Sequence, residues 1–277
     1  MKRALTLGMG LLALAGMTLP TSAADLGRPI TKAPPVAAPP IYNWSGFYVG
    51  VGLGARDDQV DWDTTGIASP AGIIVTPDPF SASRSFDSTD FRVSGYAGYN
   101  WQFTNWLIGV EGDFGWADNR TTVNGIPGTF GVGGLADFVG IAPGVFGHDF
   151  ASVKTDWDAS IRGRIGWLPA PNFLLYATGG VSWINVEATA TCDGALPSWC
   201  VLARGQRSSD TLTGWTVGAG VEWMFAPSWI ARAEYRFSDY GDFTPIFFPS
   251  AIDQVNARVS VQTQTAYVGV SYLFNWH

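Results

Sequence analysis

Eight stretches of this chain alternate strictly between large apolar and small or polar side chains, and a period of two is the mark of a β-strand. The first, Phe47 to Arg56, puts Phe47, Val49, Val51 and Leu53 on one face. Tyr48, Gly50, Gly52, Gly54 and Arg56 fall on the other. The pattern recurs over Phe91–Trp101, Trp106–Trp116, Trp157–Trp167, Phe173–Ile184, Thr213–Phe225, Trp229–Phe237 and Thr265–Phe274.

A soluble β-sandwich also alternates, but three features point elsewhere. Each stretch is about ten residues long, enough to cross a bilayer when tilted, against about 5–6 for a usual soluble strand. Aromatics collect at the stretch ends, as at Trp101, Trp106, Trp116, Trp157, Trp167, Phe173, Trp183, Trp223, Phe225, Trp229 and Phe274. Such girdles mark the two lipid interfaces of a barrel. Charges keep to the Gly/Ser/Thr/Tyr face, so the apolar face is read as the outside.

The connections alternate in length. Gln102–Asn105, Leu168–Asn172 and Ala226–Ser228 are short; Asp57–Asp90, Ala117–Asp156, Asn185–Leu212 and Ser238–Gln264 are long. This predicts an all-β fold: an eight-stranded antiparallel transmembrane β-barrel with short periplasmic turns, four long external loops and both termini periplasmic. Closure removes the free edges that lipid forbids.

Residues 1–24 read as a cleaved signal peptide, with Lys2 and Arg3 before an apolar run and small residues at Ala23 and Ala24. Residues 25–43 read as a proline-rich periplasmic linker and 44–277 as the barrel. Past the N-terminus no apolar run is long enough for a transmembrane helix. With 47% hydrophobic and 14% charged residues the chain is not of the disordered class. Its 16 basic against 23 acidic residues argue against nucleic acid as a partner.

In an exported chain Cys192 and Cys200 are expected to form a disulfide that closes a small loop. No metal site is expected: neither His148 nor His277 lies near that pair, and Asp61–Asp63 and Asp156–Asp158 lack the other ligands of a known cation loop. The glycines of Gly50–Gly54 lack the strand-to-helix context of a phosphate loop and instead leave room for bulky lumen side chains. No nucleophile–base pair is recognisable, so neither catalytic residues nor a cofactor are expected.

The inward face carries the most informative chemistry: Arg56, Arg92, Arg162, Arg164, Arg232 and Arg236 against Glu111, Asp113, Asp158, Glu222 and Glu234. Eight strands enclose a space that side chains fill, and buried charges there must pair. A structural ion-pair core is the favoured reading; a gated, ion-selective pore is the alternative.

The start AADL, the proline-rich spacer and NWSGFYVGVGLG (Asn43–Gly54) resemble the alphaproteobacterial family of small, porin-like outer-membrane β-barrel proteins. WLIGVEGDFGW, SIRGRIGW, LLYATGGV, TGWTVGAGVEW and ARAEYRFSDYG are similar to that family's strands. Gly269, Tyr272 and Phe274 also resemble the C-terminal signal read by the barrel-assembly machinery, although the chain continues through Asn275, Trp276 and His277. The resemblance implies a barrel in the outer membrane, and members are described variously as envelope-stabilising proteins, surface antigens, porin-like proteins or haemin binders. The expected function is a non-enzymatic structural, envelope-integrity and surface-interaction role. A narrow porin-like diffusion channel and a surface receptor for a ligand such as haemin are the alternatives. Expected partners are outer-membrane lipid, the assembly machinery, and an external ligand or host surface met by the loops.

Overall fold

The alternation that starts at Phe47 does not stop at Arg56. In the computed structural model the first strand, β1, runs over Gly46–Ala68, 23 residues. The strands that follow are β2 (Ile74–Val75), β3 (Ser83–Ser85), β4 (Ser88–Phe103), β5 (Trp106–Asn124), β6 (Phe150–Ala170), β7 (Phe173–Cys192), β8 (Arg204–Ala226), β9 (Trp229–Phe243), β10 (Ile246–Phe247) and β11 (Val255–Phe274). The structure describes residues 42–68, 74–75, 82–129, 149–194, 202–249 and 253–274. The expected signal peptide, nearly all of the linker, His148, Cys200 and residues 275–277 lie outside these.

The eight long strands pair antiparallel, each with its neighbour in the chain. Pairing of β1 with β11 closes the ring, from Phe47 opposite Phe274 to Ile67 opposite Val255, with one register shift between Thr64 and Gly66. The three short strands add to the long ones at the far end: β2 and β3 on β1, β10 on β11. The short turns are tight, with Thr104 and Ser228 at φ 54° and 67°. Below, the "turn end" is the end with these turns and the "loop end" is the opposite one.

Strand length corrects the expectation. Much of Asp57–Asp90, Ala117–Asp156, Asn185–Leu212 and Ser238–Gln264, read as loop, is strand. Only about 9–11 residues are needed to cross lipid, so β1 continues well past the apolar belt. The extension reads as loop in the sequence because its polarity inverts while its period stays two. On β1 the outward series runs Phe47, Val49, Val51, Leu53, Ala55 and then Asp57, Gln59, Asp61, Asp63. The inward series runs Tyr48, glycines, Arg56, Asp58 and then Val60 and Trp62, which are 2% and 0% exposed. β11 and β7 invert in the same way: Val259, Val261, Ile184, Val186 and Ala188 are buried inside, with polar residues outside. The lipid-facing part is apolar outside, and the loop-end part has the polarity of a soluble barrel.

Each end of the interior is packed with apolar side chains. At the loop end Trp62 stacks on Phe247 at 5.1 Å and lies 5.9 Å from Phe86, so segments from the first and last long connections meet inside the mouth. Trp62 Nε1 donates to Thr64 Oγ1 (3.0 Å), and Thr64 Oγ1 donates to the Pro127 carbonyl (2.6 Å), which ties in the second connection. At the turn end Trp44, fully buried, packs with Leu107, Leu174, Met224, Ile230 and Leu273. Its indole donates to the Pro171 carbonyl at 2.9 Å.

Outward aromatics flank the apolar belt. Trp101, Trp106, Trp167, Trp223, Trp229 and Phe274 are exposed toward the turn end, Trp116 and Trp215 toward the loop end. Trp157, Phe173 and Trp183 are half-buried. On the polar collar beyond, hydrogen bonds to Asp156 (2.6 Å) and Asp118 (2.9 Å) raise the pKa of Lys154.

Candidate functional site

Between the two apolar ends lies a belt of charge. Alternation turns every second residue inward, and the eleven expected lumen residues all point there: Arg56, Arg92, Glu111, Asp113, Asp158, Arg162, Arg164, Glu222, Arg232, Glu234 and Arg236 are buried. A twelfth member, Asp58, is 0% exposed and was not expected. It lay two residues past the assumed strand end, and counting on in steps of two would have found it. With Asp58 this central belt holds, among the described residues, six arginines and six carboxylates.

The twelve form two tiers of three arginines and three acids. The loop-side tier uses aspartates. Arg56 bridges Asp58 (2.9 Å) and Asp158 (2.8 Å), Arg92 reaches Asp113 (2.8 Å) and Asp158, and Arg236 reaches Asp113 (2.8 Å) and Asp158 (3.3 Å). The turn-side tier uses glutamates. Arg162 binds Glu111 (2.6 Å) and Glu234, Arg164 binds Glu222 (2.8 Å), and Arg232 binds Glu111 and Glu222, each at 2.6 Å. Arg162 also lies 3.6 Å from Asp113 and joins the tiers. Removing an ion from water is expensive unless its partners replace the hydration. Here Asn119 donates to Asp58 (2.7 Å), Thr155 and Ser160 donate to Asp58 and Asp113, and Arg56 donates to Thr155 Oγ1 (2.9 Å).

Four tyrosines, which sequence reading had not placed in the site, complete the turn-side tier. Tyr48 donates to Glu111 and Tyr176 to Glu234, each at 2.6 Å. The Arg232 guanidinium sits 4.2 Å from the Tyr96 ring centre and that of Arg164 4.3 Å from the Tyr176 ring centre, where the ring face favours a cation. Each tyrosine stands opposite a glycine in register: Tyr48 with Gly98, Tyr96 with Gly50, Tyr176 with Gly220, Tyr267 with Gly54. A Cβ on Gly50 would lie 2.4 Å from the Tyr96 ring. The signal was in the sequence as inward glycines beside inward tyrosines; it needed the register to be read.

The other expected sites are placed as follows. Cys192 is buried at the end of β7; Cys200 lies outside the described residues. Asp61 and Asp63 are outward on β1, with Trp62 between them pointing inward. Asp158 is in the lumen while Asp156 faces Lys154 outside. Among the described residues no group of His, Cys, Asp and Glu could hold a metal ion. Gly269 faces inward next to Tyr96, whereas Tyr272 and Phe274 face outward in edge contact at 4.9 Å.

Comparison with known proteins agrees with this architecture. The chain is 27% identical over 258 residues to a 31 kDa outer-membrane immunogenic protein of Brucella melitensis, covering 91% of this chain and 92% of that one. It is 25% identical to a 25 kDa outer-membrane immunogenic protein of Brucella canis, over 88% of both chains. A 22 kDa outer membrane protein of Rhizobium leguminosarum is 29% identical over 52% of this chain and 50% of the relative. Among solved structures, the outer membrane protein OprG from Pseudomonas aeruginosa superposes with a TM-score of 0.51 at 11% identity, over 85% of this chain and 99% of that one, a likeness of fold. The family model for the outer membrane protein beta-barrel domain matches residues 9–274. With the ring of eight strands, that match shows that the chain belongs to the outer-membrane β-barrel protein family.

Proposed function

We propose that the protein is a non-enzymatic, closed barrel with a structural, envelope-integrity role, whose loop end faces outward as an interaction surface. The observation that carries this reading is the interior: two balanced tiers of ion pairs capped by apolar side chains at each end. An ion crossing it would have to separate pairs that are shielded from water, and breaking a buried pair costs about 3–5 kcal/mol. The naming of the Brucella relatives as immunogenic supports exposure of the loop end at the cell surface. Export by a cleaved signal peptide, periplasmic termini, a Cys192–Cys200 bond and delivery through the C-terminal signal at Gly269, Tyr272 and Phe274 belong to the same proposal.

Planar-bilayer recording of refolded protein tests it. The wild type should give background conductance. Glu222→Ala removes the shared partner of Arg164 and Arg232, so it should raise conductance and lose about 3–5 kcal/mol in urea unfolding. Clear single-channel steps from the wild type would overturn the closed barrel in favour of a narrow diffusion channel.

A further inference from the structure

The apolar belt is not uniform. Small outward residues such as Ala97, Gly112 and Gly163 interrupt its large side chains, and where β8, β9, β11 and β1 adjoin the wall sinks into a groove of about 560 Å³. Its floor is Ala219, Ala233 and Ala266; Val221, Val268 and Leu53 wall it on the turn side, and Tyr235 rises from it. The register explains the shape. Tyr235 has alanines on both sides, Ala219 and Ala266, and Ala233 lies between Val221 and Val268. The groove crosses four strands, three spacings of about 4.8 Å or roughly 14 Å in all.

Its loop-side margin is polar. Tyr235 donates to Gln264 Oε1 at 2.6 Å. The next outward row reads Val217, Phe237, Gln264 and Asp57, and the row after it Trp215, Asp239, Gln262 and Gln59. These rows hold two carboxylates and three amides and no lysine or arginine. A bare phosphate would meet repulsion from Asp57 and Asp239, whereas an ammonium would be attracted there.

We propose that this groove holds one acyl chain of a lipid whose headgroup carries an ammonium group, drawn to the loop-side rim that Asp57 and Asp239 make negative. The groove is continuous with the lipid-facing belt, and the charge of its margin selects the headgroup. The occupant replaces contacts that a smooth wall of Val and Leu would have made with passing lipids, so this chain would exchange more slowly than its neighbours.

Native mass spectrometry after detergent exchange, on protein refolded in equimolar phosphatidylethanolamine and phosphatidylglycerol, tests the assignment. The wild type should retain one phosphatidylethanolamine. Ala233→Leu and Ala266→Leu fill the floor and should each retain about tenfold less, since a few buried methylenes are worth about 1.4 kcal/mol or more. Ala97→Leu, outward on β4 away from the groove, should retain the lipid as the wild type does, and folding of each variant is checked by its heat-dependent gel shift. Asp57→Asn with Asp239→Asn should abolish the preference over phosphatidylglycerol. Equal retention by the wild type and whichever groove variant folds would overturn the proposal, as would a wild-type preference for phosphatidylglycerol. A dimer peak that only the groove variants lose would assign the groove to a second copy and overturn it as well.

Discussion

Inward glycines act as slots for side chains from the next strand. Gly220 lies opposite Tyr176, and a Cβ there would come 2.5 Å from the tyrosine hydroxyl and 2.7 Å from the Ala233 carbonyl. That hydroxyl serves Glu234, so displacing it disturbs the turn-side tier as well. Gly220→Ala is therefore expected to cost about 1–3 kcal/mol, as overpacking does. Gly179, one strand away but facing lipid, has its nearest neighbour at 3.7 Å. Gly179→Ala should change stability by no more than about 0.5 kcal/mol. Urea unfolding of both variants in lipid vesicles, followed by tryptophan fluorescence, compares them directly; equal losses would remove the slot argument.

A single strand carries two solvents' worth of pattern. The backbone of β1 is continuous from Gly46 to Ala68, yet its outward face changes from Leu53 and Ala55 to Asp57, Gln59 and Asp61. The change marks the edge of the hydrocarbon, because the cost of a charge depends on what lies outside the wall. Val51→Arg, outward and 64% exposed within the belt, should cost about 2–4 kcal/mol near the midplane and impair refolding into lipid. Gln59→Arg, on the same face of the same strand beyond the boundary, should refold like the wild type. Refolding yield by gel shift reads both, and a Val51→Arg barrel that inserts normally would misplace the belt.

In the molecule as a whole the interior has three zones in series: an apolar plug at the turn end, the neutral ionic belt, and an apolar core at the loop end. The loop-end core draws on the wall and on the first, second and fourth long connections through Phe86, Ile126 and Phe247. These connections are thus anchored into the mouth at defined points. The proposed orientation predicts where a protease added to intact cells can act. It should cut at the loop end and spare the turn between Phe103 and Trp106, which would face the periplasm. Cleavage at that turn from outside would invert the topology.

Much of this was legible in one sequence because a barrel wall obeys a rule of period two. The alternation from Phe47 to Arg56 and its repeats located the eight long strands, their two faces and the inward position of residues such as Arg162 and Glu234, though not how far each strand runs. The same rule hid the loop-end half. There Val60 and Trp62 face inward and Asp61 faces outward, and a reader looking for outward apolar residues takes the segment for loop. Alternation says which side of the wall a side chain lies on and nothing about who stands across the lumen. Arg236 meets Asp113 from 123 residues away, and Arg162 meets Glu234 across the barrel. Those pairings depend on register and stagger around a closed ring. So do the inclusion of Asp58, the seating of four tyrosines over glycines and the alanine-floored groove. The sequence by itself determined the faces, since polarity records the solvent on each side; only the closed tertiary structure decided the partners, since closure brings distant strands to one level.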